Sequence, residues 1–478
     1  MTPLRTLVDG AAGLPVVVLG DAVLDGWLAG PSHRLSREAP VPVVDVTVQR
    51  YVAGGAANTA VNLAALGAAV RFVSVCGDDA DGALLRRVLR EAGVPDDDLL
   101  VEPGRATLAK RRVSAGSQML TRLDTGDTGP LARTTTVRLL ERLRQAAVGA
   151  AAVVVSDYAL GLLDDRAVAA VAALRSPCLV VDARRPARWA PASPRAVKPN
   201  FDEVAPLLGP GLDRAERVVA AADRIRQALG AEVVCATLDG EGAVVLSDAP
   251  PLRLHTTPQP ATHAAGAGDS FTAALAVALA QGADPGLAGD LAQRAAQVAV
   301  RTAGTTPCTA AALREAVSRK EQRVRDAARL ADLVARHRDA GRTVAFTNGC
   351  FDVLHAGHVA HLREARALAD VLVVGLNSDA SVRRLRGPDR PVNGVEDRAA
   401  VLAGLAGVDH LVVFDADTPA ELLEAVRPDV YVKGGDYTPE MLPETALVER
   451  LGGSVVTLGW VEERTTDELL DRIRATPL

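Results

Sequence analysis

The chain has 478 residues, and a single hydrophobic core rarely grows past about 250–300 residues, so two or more domains are expected. Apolar residues make up 48% and charged residues 23%, as in globular proteins, and the net charge of −6 comes with no basic stripe, which argues against a general nucleic-acid binder. Five scattered cysteines (Cys76, Cys178, Cys235, Cys308, Cys350) contain no CxxC pair, and no apolar run approaches the ~20 residues that span a bilayer; neither a zinc knuckle, a disulfide framework nor a membrane span is expected.

Short β-branched runs alternate with Ala/Leu-rich stretches of helical period. Strands are predicted at Val16–Leu19, Val70–Cys76, Ala152–Ser156, Cys178–Asp182, Val233–Thr237 and Ala243–Ser247, and helices at Ala57–Leu66 and Arg214–Leu229, among others. This βαβ alternation predicts a parallel sheet covered on both faces. Val41–Val52 and Lys110–Leu123 alternate apolar and polar residues without helices between them, which predicts a small antiparallel flap. From Leu313 to Ala340 the chain is charged, helical and free of Pro, and βαβ alternation then restarts. Strands are predicted at Thr343–Thr347, Val371–Leu376, His410–Phe414, Val430–Lys433 and Ser454–Leu458, with a helix at Val359–Leu368. The boundary is placed near Val317–Glu321, giving domains 1–318 and 319–478, with the charged helix opening the second.

In the first domain, HAAGAGDSFTAALAVAL sets two glycines before an Asp and a long helix. Gly266, Ala267 and Gly268 leave backbone N–H groups open to a phosphate, the helix N-terminus adds positive potential, and Asp269 could take a proton from an attacking hydroxyl. A lone GxGD also fits a plain helix start. Three companions strengthen the chemical reading: Gly20–Asp21 with Asp25, the run Gly54–Gly55–Ala56–Ala57–Asn58, and Asn200–Phe201–Asp202–Glu203. No GxxxxGK[ST] P-loop is present, so any ATP must be held differently.

Together these features resemble the ribokinase-like (PfkB) carbohydrate kinases over roughly residues 10–315. The resemblance implies a three-layer α/β/α fold with a β flap. It makes Asp269 the base and Gly266, Ala267 and Gly268 the anion hole. It implies that Asn200 and Glu203 organise Mg²⁺ and ATP phosphates, and that Asp21, Gly54, Gly55 and Asn58 hold sugar hydroxyls. GDAVLDGWLAGPSHRLSREAPVPVV, SDYALGLL and VKPNFDEV resemble heptose-7-phosphate kinases more narrowly; Arg34, Arg37, Lys110, Arg111, Arg112 and Arg122 could then meet a sugar phosphate. Two departures stand out: His263–Ala264–Ala265 replaces the usual D-x-T before GAGD, and Leu160 stands where such kinases carry Lys. A weakened kinase, or a binding or dimerisation module, is therefore the alternative.

In the second domain, TVAFTNGCFDVLHAGHVAHLREARALAD places His355 and His358 around Gly357 at a helix start, suited to hydrogen-bonding phosphate oxygens. Metal ligation by His355, His358 and His361 would lack the Glu of an HExxH zincin. The string resembles the HxGH nucleotidyltransferases over roughly residues 342–472, implying a Rossmann-like domain that joins a nucleoside triphosphate to a phosphorylated substrate and releases pyrophosphate. The resemblance implies that His355 and His358 act at the α-phosphorus and that Thr347, Gly349 and Phe351 line the nucleotide pocket. Lys433, with Asp436 in its loop, would neutralise phosphate, and Thr465 and Thr466, preceded by Arg464, would grip pyrophosphate. Arg383, Arg384 and Arg386, with the following Arg390–Pro391–Val392–Asn393, suggest a flexible cationic loop over phosphates.

Both halves, in this order, resemble the bifunctional heptose kinase/adenylyltransferases of ADP-heptose synthesis. That implies a cytoplasmic enzyme, a homodimer or higher homo-oligomer in keeping with flap dimerisation in such kinases. It would use ATP, Mg²⁺ and heptose phosphates with a separate heptose bisphosphate phosphatase, and neither nucleic acid nor membrane. A kinase for another sugar fused to a cytidylyltransferase is the remaining alternative.

Overall fold

A computed structural model describes residues 3–116, 118–211, 213–254, 256, 265–301, 304–321, 323–324, 327–405, 407–435 and 438–458. Its contacts divide the chain into two units, Met1–Val317 and Ser318–Leu478.

The first unit is built on a nine-stranded sheet. In spatial order the strands are Leu252–Leu254, Ala243–Leu246, Val233–Thr237, Ala196–Val197, Leu179–Ala183, Ala152–Asp157, Pro15–Gly20, Ala69–Gly77 and Leu99–Glu102. Neighbours run parallel except at the Leu252 edge, where two antiparallel pairings close the sheet. The pleat sends Val16 and Val18 into one core and Val17 and Leu19 into the other, so both faces are buried, as an uninterrupted Val/Leu run requires. With few aromatics available, close helix packing relies on alanine. The helix Ala267–Ala280 is buried along most of its length against the helices Ala56–Ala65 and Pro285–Ala299.

The flap is a four-stranded sheet ordered Val48–Gly55, Ala22–Gly30, Ala109–Ala115, Gln118–Thr125. The second predicted flap segment is thus a hairpin. The first is not one strand: Pro42–Val43 pairs with Arg34–Leu35 in a separate ribbon, and the flap strand begins at Val48. Pro40 and Pro42 supply no N–H to a ladder, which accounts for the break. The central flap strand Ala22–Gly30 had no sequence signal, because Asp25 and Gly26 interrupt its apolar alternation; it runs parallel to Ala109–Ala115.

The second unit carries a six-stranded parallel sheet: Arg323–Val324, His410–Phe414, Val371–Asn377, Val344–Gly349, Val430–Gly434, Ser454–Leu458. The predicted single charged helix is two helices, Ala310–Glu321 and Ala327–Asp339. Leu313 and Val317 enter the first unit's core and Leu330 and Val334 the second's. In a continuous helix of 3.6 residues per turn, Val317 and Leu330 would lie roughly 220° apart, so one straight helix could not bury both pairs on a single face. The predicted helix Arg214–Leu229 likewise breaks at Ala221.

Candidate active sites

In the first unit the Gly266 turn delivers Asp269 to the first turn of the helix Ala267–Ala280. Gly266 has φ +84, and an added Cβ there would lie 2.8 Å from Asn58 Nδ2 and 2.9 Å from Thr305 Cγ2, so the position demands glycine on both counts. Asp269 is 6% exposed and accepts from Asn58 Nδ2 (2.6 Å, at Oδ2), Thr59 Oγ1 (3.0 Å, at Oδ1) and Tyr158 OH (3.0 Å, at Oδ1). Burial, then the charge of Asp182, pushes its carboxyl up to about 6, against the opposing pull of Asn58, Lys198 and Tyr158. A carboxylate near neutrality suits a general base.

Lys198 stands beside this turn. Its Nζ would be 3.0 Å from a Cβ on Gly268 and pairs with Asp182 Oδ2 at 2.8 Å. Burial works against its charge, but Asp182, Asp269 and Glu203 together outweigh burial and hold the ammonium above the ordinary lysine range. Asn200 and Glu203 form a reciprocal capping box: Glu203 N donates to Asn200 Oδ1 at 2.9 Å and Asn200 N to Glu203 Oε2 at 2.8 Å. The box uses one side-chain atom of each. Burial raises the Glu203 carboxyl, leaving a partly desolvated acid that a cation would relieve. Among the described residues no group of three or more His, Cys, Asp or Glu could cage a metal.

The other predicted positions fall into two groups. Gly54, Gly55 and Asn58 gather around Asp25, Asp21 and Asp269 respectively. A Cβ on Gly54 would meet Asp25 Oδ2 at 2.6 Å, and one on Gly55 (φ +56) would meet the Asp21 carbonyl at 2.6 Å. Asp21 itself is 1% exposed and turned inward, accepting from the backbone N–H of Tyr158 (2.8 Å) and Leu160 (3.4 Å); burial and Asp157 push it up to about 6. Of the six basic residues, Arg112 bonds Asp25 (3.1 Å) and stacks over Trp27, and Lys110 lies 5.9 Å from the Tyr158 ring. Arg111 and Arg122 face Asp81 and Asp124 instead, and Arg34 and Arg37 are exposed. Ala265 adjoins the turn, whereas His263 and Ala264 lie outside the described residues. Sequence reasoning missed Thr59, Tyr158 and Asp182. For Tyr158 a signal existed in the SDY run that ends the strand Ala152–Asp157.

In the second unit the strand Val344–Gly349 is the switch point of the sheet: the chain turns to Val371–Asn377 on one side and to Val430–Gly434 on the other. Ligands of open parallel sheets bind at the carboxyl ends beside such a point, where Thr347, Asn348, Gly349 and Lys433 lie. Asn348 Oδ1 accepts from Tyr431 OH (2.9 Å) and Lys433 Nζ (3.1 Å), and burial lowers the Lys433 ammonium. His355 is the N-cap of the helix Ala356–Ala367, and His358 sits in its first turn. Their rings lie 3.9 Å apart, and the Phe351 ring, held at φ +45, is 5.3 Å from His358. Burial, then His355 and His361, lowers His358 to about 4, so it is a neutral imidazole at pH 7. The third histidine, His361, meets Thr347 Oγ1 at 3.0 Å. Asn348 and this use of His361 were not foreseen.

The expected flexible cationic loop is built differently. Arg383, Arg384 and Arg386 end the helix Asp379–Arg386, N-capped by Ser378, with Arg384 paired to Asp417 and Arg386 exposed. The Arg390–Asn393 segment is fastened to the HxGH loop: Asp352 accepts from Arg390 Nη1 (2.7 Å) and Val392 N (2.6 Å). Arg398, 2% exposed, bonds Cys350 O, Asn393 O and Asp379 Oδ1. Asp436, Arg464, Thr465 and Thr466 lie outside the described residues.

The family model of pfkB family carbohydrate kinases matches residues 15–312, and that of cytidylyltransferase-like domains matches residues 346–467. The first unit resembles Arabidopsis thaliana ribokinase complexed with ribose and ATP (TM-score 0.51, 21% identity, 64% of this chain and 99% of that one). It also resembles Escherichia coli phosphofructokinase-2 in complex with fructose-6-phosphate (TM-score 0.53, 20% identity, 63% and 97%). At those identities the likeness concerns fold. Fold and motifs together define a two-headed transferase, a pfkB-type carbohydrate kinase followed by a nucleotidyltransferase. The bifunctional protein HldE of Mesorhizobium japonicum is 40% identical over 484 residues, covering 99% of this chain and 97% of that protein. That of Paramagnetospirillum magneticum is 38% identical over 485 residues, covering 99% of each. The chain belongs to the HldE family.

Proposed function

We propose that the chain makes ADP-heptose in two separate transfers. The kinase half phosphorylates O1 of D-glycero-D-manno-heptose 7-phosphate from ATP. Asp269 takes the hydroxyl proton, while the backbone around Gly266–Gly268 and the following helix N-terminus receive the transferring phosphoryl group. Lys198, against Gly268, adds charge there. Mg²⁺, carried with ATP and neutralising its phosphates, would be held near Glu203 and Asn200; the raised Glu203 carboxyl fits that role. The transferase half lets an oxygen of heptose 1-phosphate attack the α-phosphorus of ATP as the bond to pyrophosphate breaks. His355, His358 and the helix start hold the triphosphate, and half-buried Lys433 meets phosphate charge. Thr347, Gly349, Phe351, Arg386, Asp436, Thr465 and Thr466 complete that site in this reading.

The carrying observation is the pair of glycine turns, each opening a helix of 12 or more residues, one with a buried acid beside it and one with paired imidazoles. The kinase product bears two phosphates and the second substrate one, so a separate phosphatase must act between them. Use of ATP fits a cytoplasmic enzyme, and no helix among the described residues is long and apolar enough to cross a membrane. Exposed apolar residues, Leu35 of the separate ribbon at 63% and Met119 of the flap at 58%, fit a homodimer.

The test is a coupled reaction with heptose 7-phosphate, ATP, Mg²⁺ and an added phosphatase, read by mass spectrometry. ADP-heptose is expected; CDP-heptose formed in preference when CTP is supplied would move the reading to a cytidylyltransferase. Absence of any phosphorylation above an Asp269→Asn control would support the weak-module reading that His263 and Ala265 favour.

A further inference from the structure

The three hydrogen bonds on Asp269 are shared unequally. Oδ1 takes two, from Thr59 Oγ1 and Tyr158 OH at 3.0 Å each, and Oδ2 takes one, from Asn58 Nδ2 at 2.6 Å. A carboxylate oxygen offers about two acceptor directions, so Oδ1 is filled and Oδ2 keeps one. We propose that Tyr158 is a positioning residue of the kinase half: with Thr59 it fills Oδ1, so that Oδ2 is the atom that takes the proton from the sugar hydroxyl. In that step the O–H bond breaks, its proton goes to Oδ2, and the hydroxyl oxygen bonds the γ-phosphorus. The bond from γ-phosphorus to the bridging oxygen breaks, and that oxygen leaves with ADP. The inference rests on the kinase reading above.

Tyr158 is built for a fixed role. Its backbone N–H is held by the inward-facing carboxylate of Asp21 at 2.8 Å, immediately after the strand Ala152–Asp157. Its ring faces Gly55, where an added Cβ would stand 3.6 Å from Cε2, and the Lys110 ammonium of the flap lies 5.9 Å from its centroid. Burial and the Asp269 charge keep the phenol far above the ordinary tyrosine range, so it remains a donor throughout. The charged groups that bear on this pair are Asp182 and Lys198 from the main sheet and Asp25 and Lys110 from the flap; the flanking Asn58 and Thr59 are neutral. Asp21, assigned to sugar hydroxyls from resemblance, thereby also fixes the loop that aims Tyr158.

The experiment uses the full chain. Tyr158→Phe keeps the ring and removes one donor to the charged carboxylate, so the Asp269 midpoint should rise by roughly one pH unit. It is read by ¹³C NMR of Asp-labelled protein, with Asp269→Asn assigning the resonance. Thr59→Val should move it in the same direction. The acidic limb of the kinase kcat/KM profile should follow, with kcat/KM at pH 7 down about twofold as the ionised fraction falls from about 0.9 to about 0.5, KM for ATP unchanged, and adenylyl transfer reporting an intact chain. An unmoved midpoint in Tyr158→Phe overturns the role. Failure of the unmodified chain to phosphorylate any heptose phosphate would overturn the kinase reading and this role with it, a result distinguishable because it needs no variant.

Discussion

Replacing Gly266 with alanine tests whether the turn before Asp269 is a fitted anion cradle. Two costs can be read from the geometry. A non-glycine residue in left-handed backbone costs about 1–2 kcal/mol, and φ is +84 there. The new Cβ would also fall 2.8 Å from Asn58 Nδ2 and 2.9 Å from Thr305 Cγ2, an overpacking worth about 1–3 kcal/mol. The sum is about 2–5 kcal/mol. Because Asn58 is the donor to Oδ2 of Asp269, the proposed base, relieving the contact would displace that carboxylate, and a shift near 1 Å costs on the order of 100-fold in rate. Gly13→Ala is the control: it has φ +73 with nothing within 4 Å of its Cβ, so it bears the backbone cost alone. Initial rates of ADP formation with heptose 7-phosphate should fall about 100-fold in Gly266→Ala and stay near wild type in Gly13→Ala, with adenylyl transfer intact in both. Equal kinase rates for the two variants would refute the reasoning.

The second head gives two further expectations. His358 is held at about 4 against an ordinary 6.5, so on acidification the unfolded chain takes the proton first. Its contribution to stability is present above about pH 6.5 and is lost as pH falls toward 4, amounting to about 2 kcal/mol between pH 7 and pH 5; His358→Gln should remove that loss, measured by amide exchange in the strand Val371–Asn377 against wild type at each pH. Arg398→Met would strip three bonds from the HxGH loop and its neighbours and leave Asp379 without its guanidinium. Because Asp379 is 32% exposed, the low end of the range for a broken buried pair applies, about 3 kcal/mol; a urea midpoint for this unit equal to wild type would contradict it.

Periodicity exposed most sheet strands and the HxGH and GAGD turns because each is a local pattern. What escaped it was non-local or atypical. Ala22–Gly30 carries Asp25 and Gly26 in its middle, where contacts with Arg112 and Tyr51 rather than apolar burial hold them. Ala196–Val197 and Leu252–Leu254 are too short to show a period. Tyr158 reaches Asp269 across 111 positions of sequence, and no spacing rule carries that distance. The Arg383–Arg386 run reads as a flexible cationic loop in composition, yet Ser378 caps it into a helix and Asp417 draws off one of its charges. Asn200–Glu203 shows the converse: a motif picked out for its chemistry is also a reciprocal capping box that opens the helix Phe201–Val204.

The close ring pair at the second site has an electrical consequence. Two imidazoles 3.9 Å apart cannot both be cationic without strong mutual repulsion. On the proposed function, a polyphosphate bound there would bring compensating negative charge and would favour protonation of the pair. A permanently cationic arginine at the same place would have no such dependence on its guest.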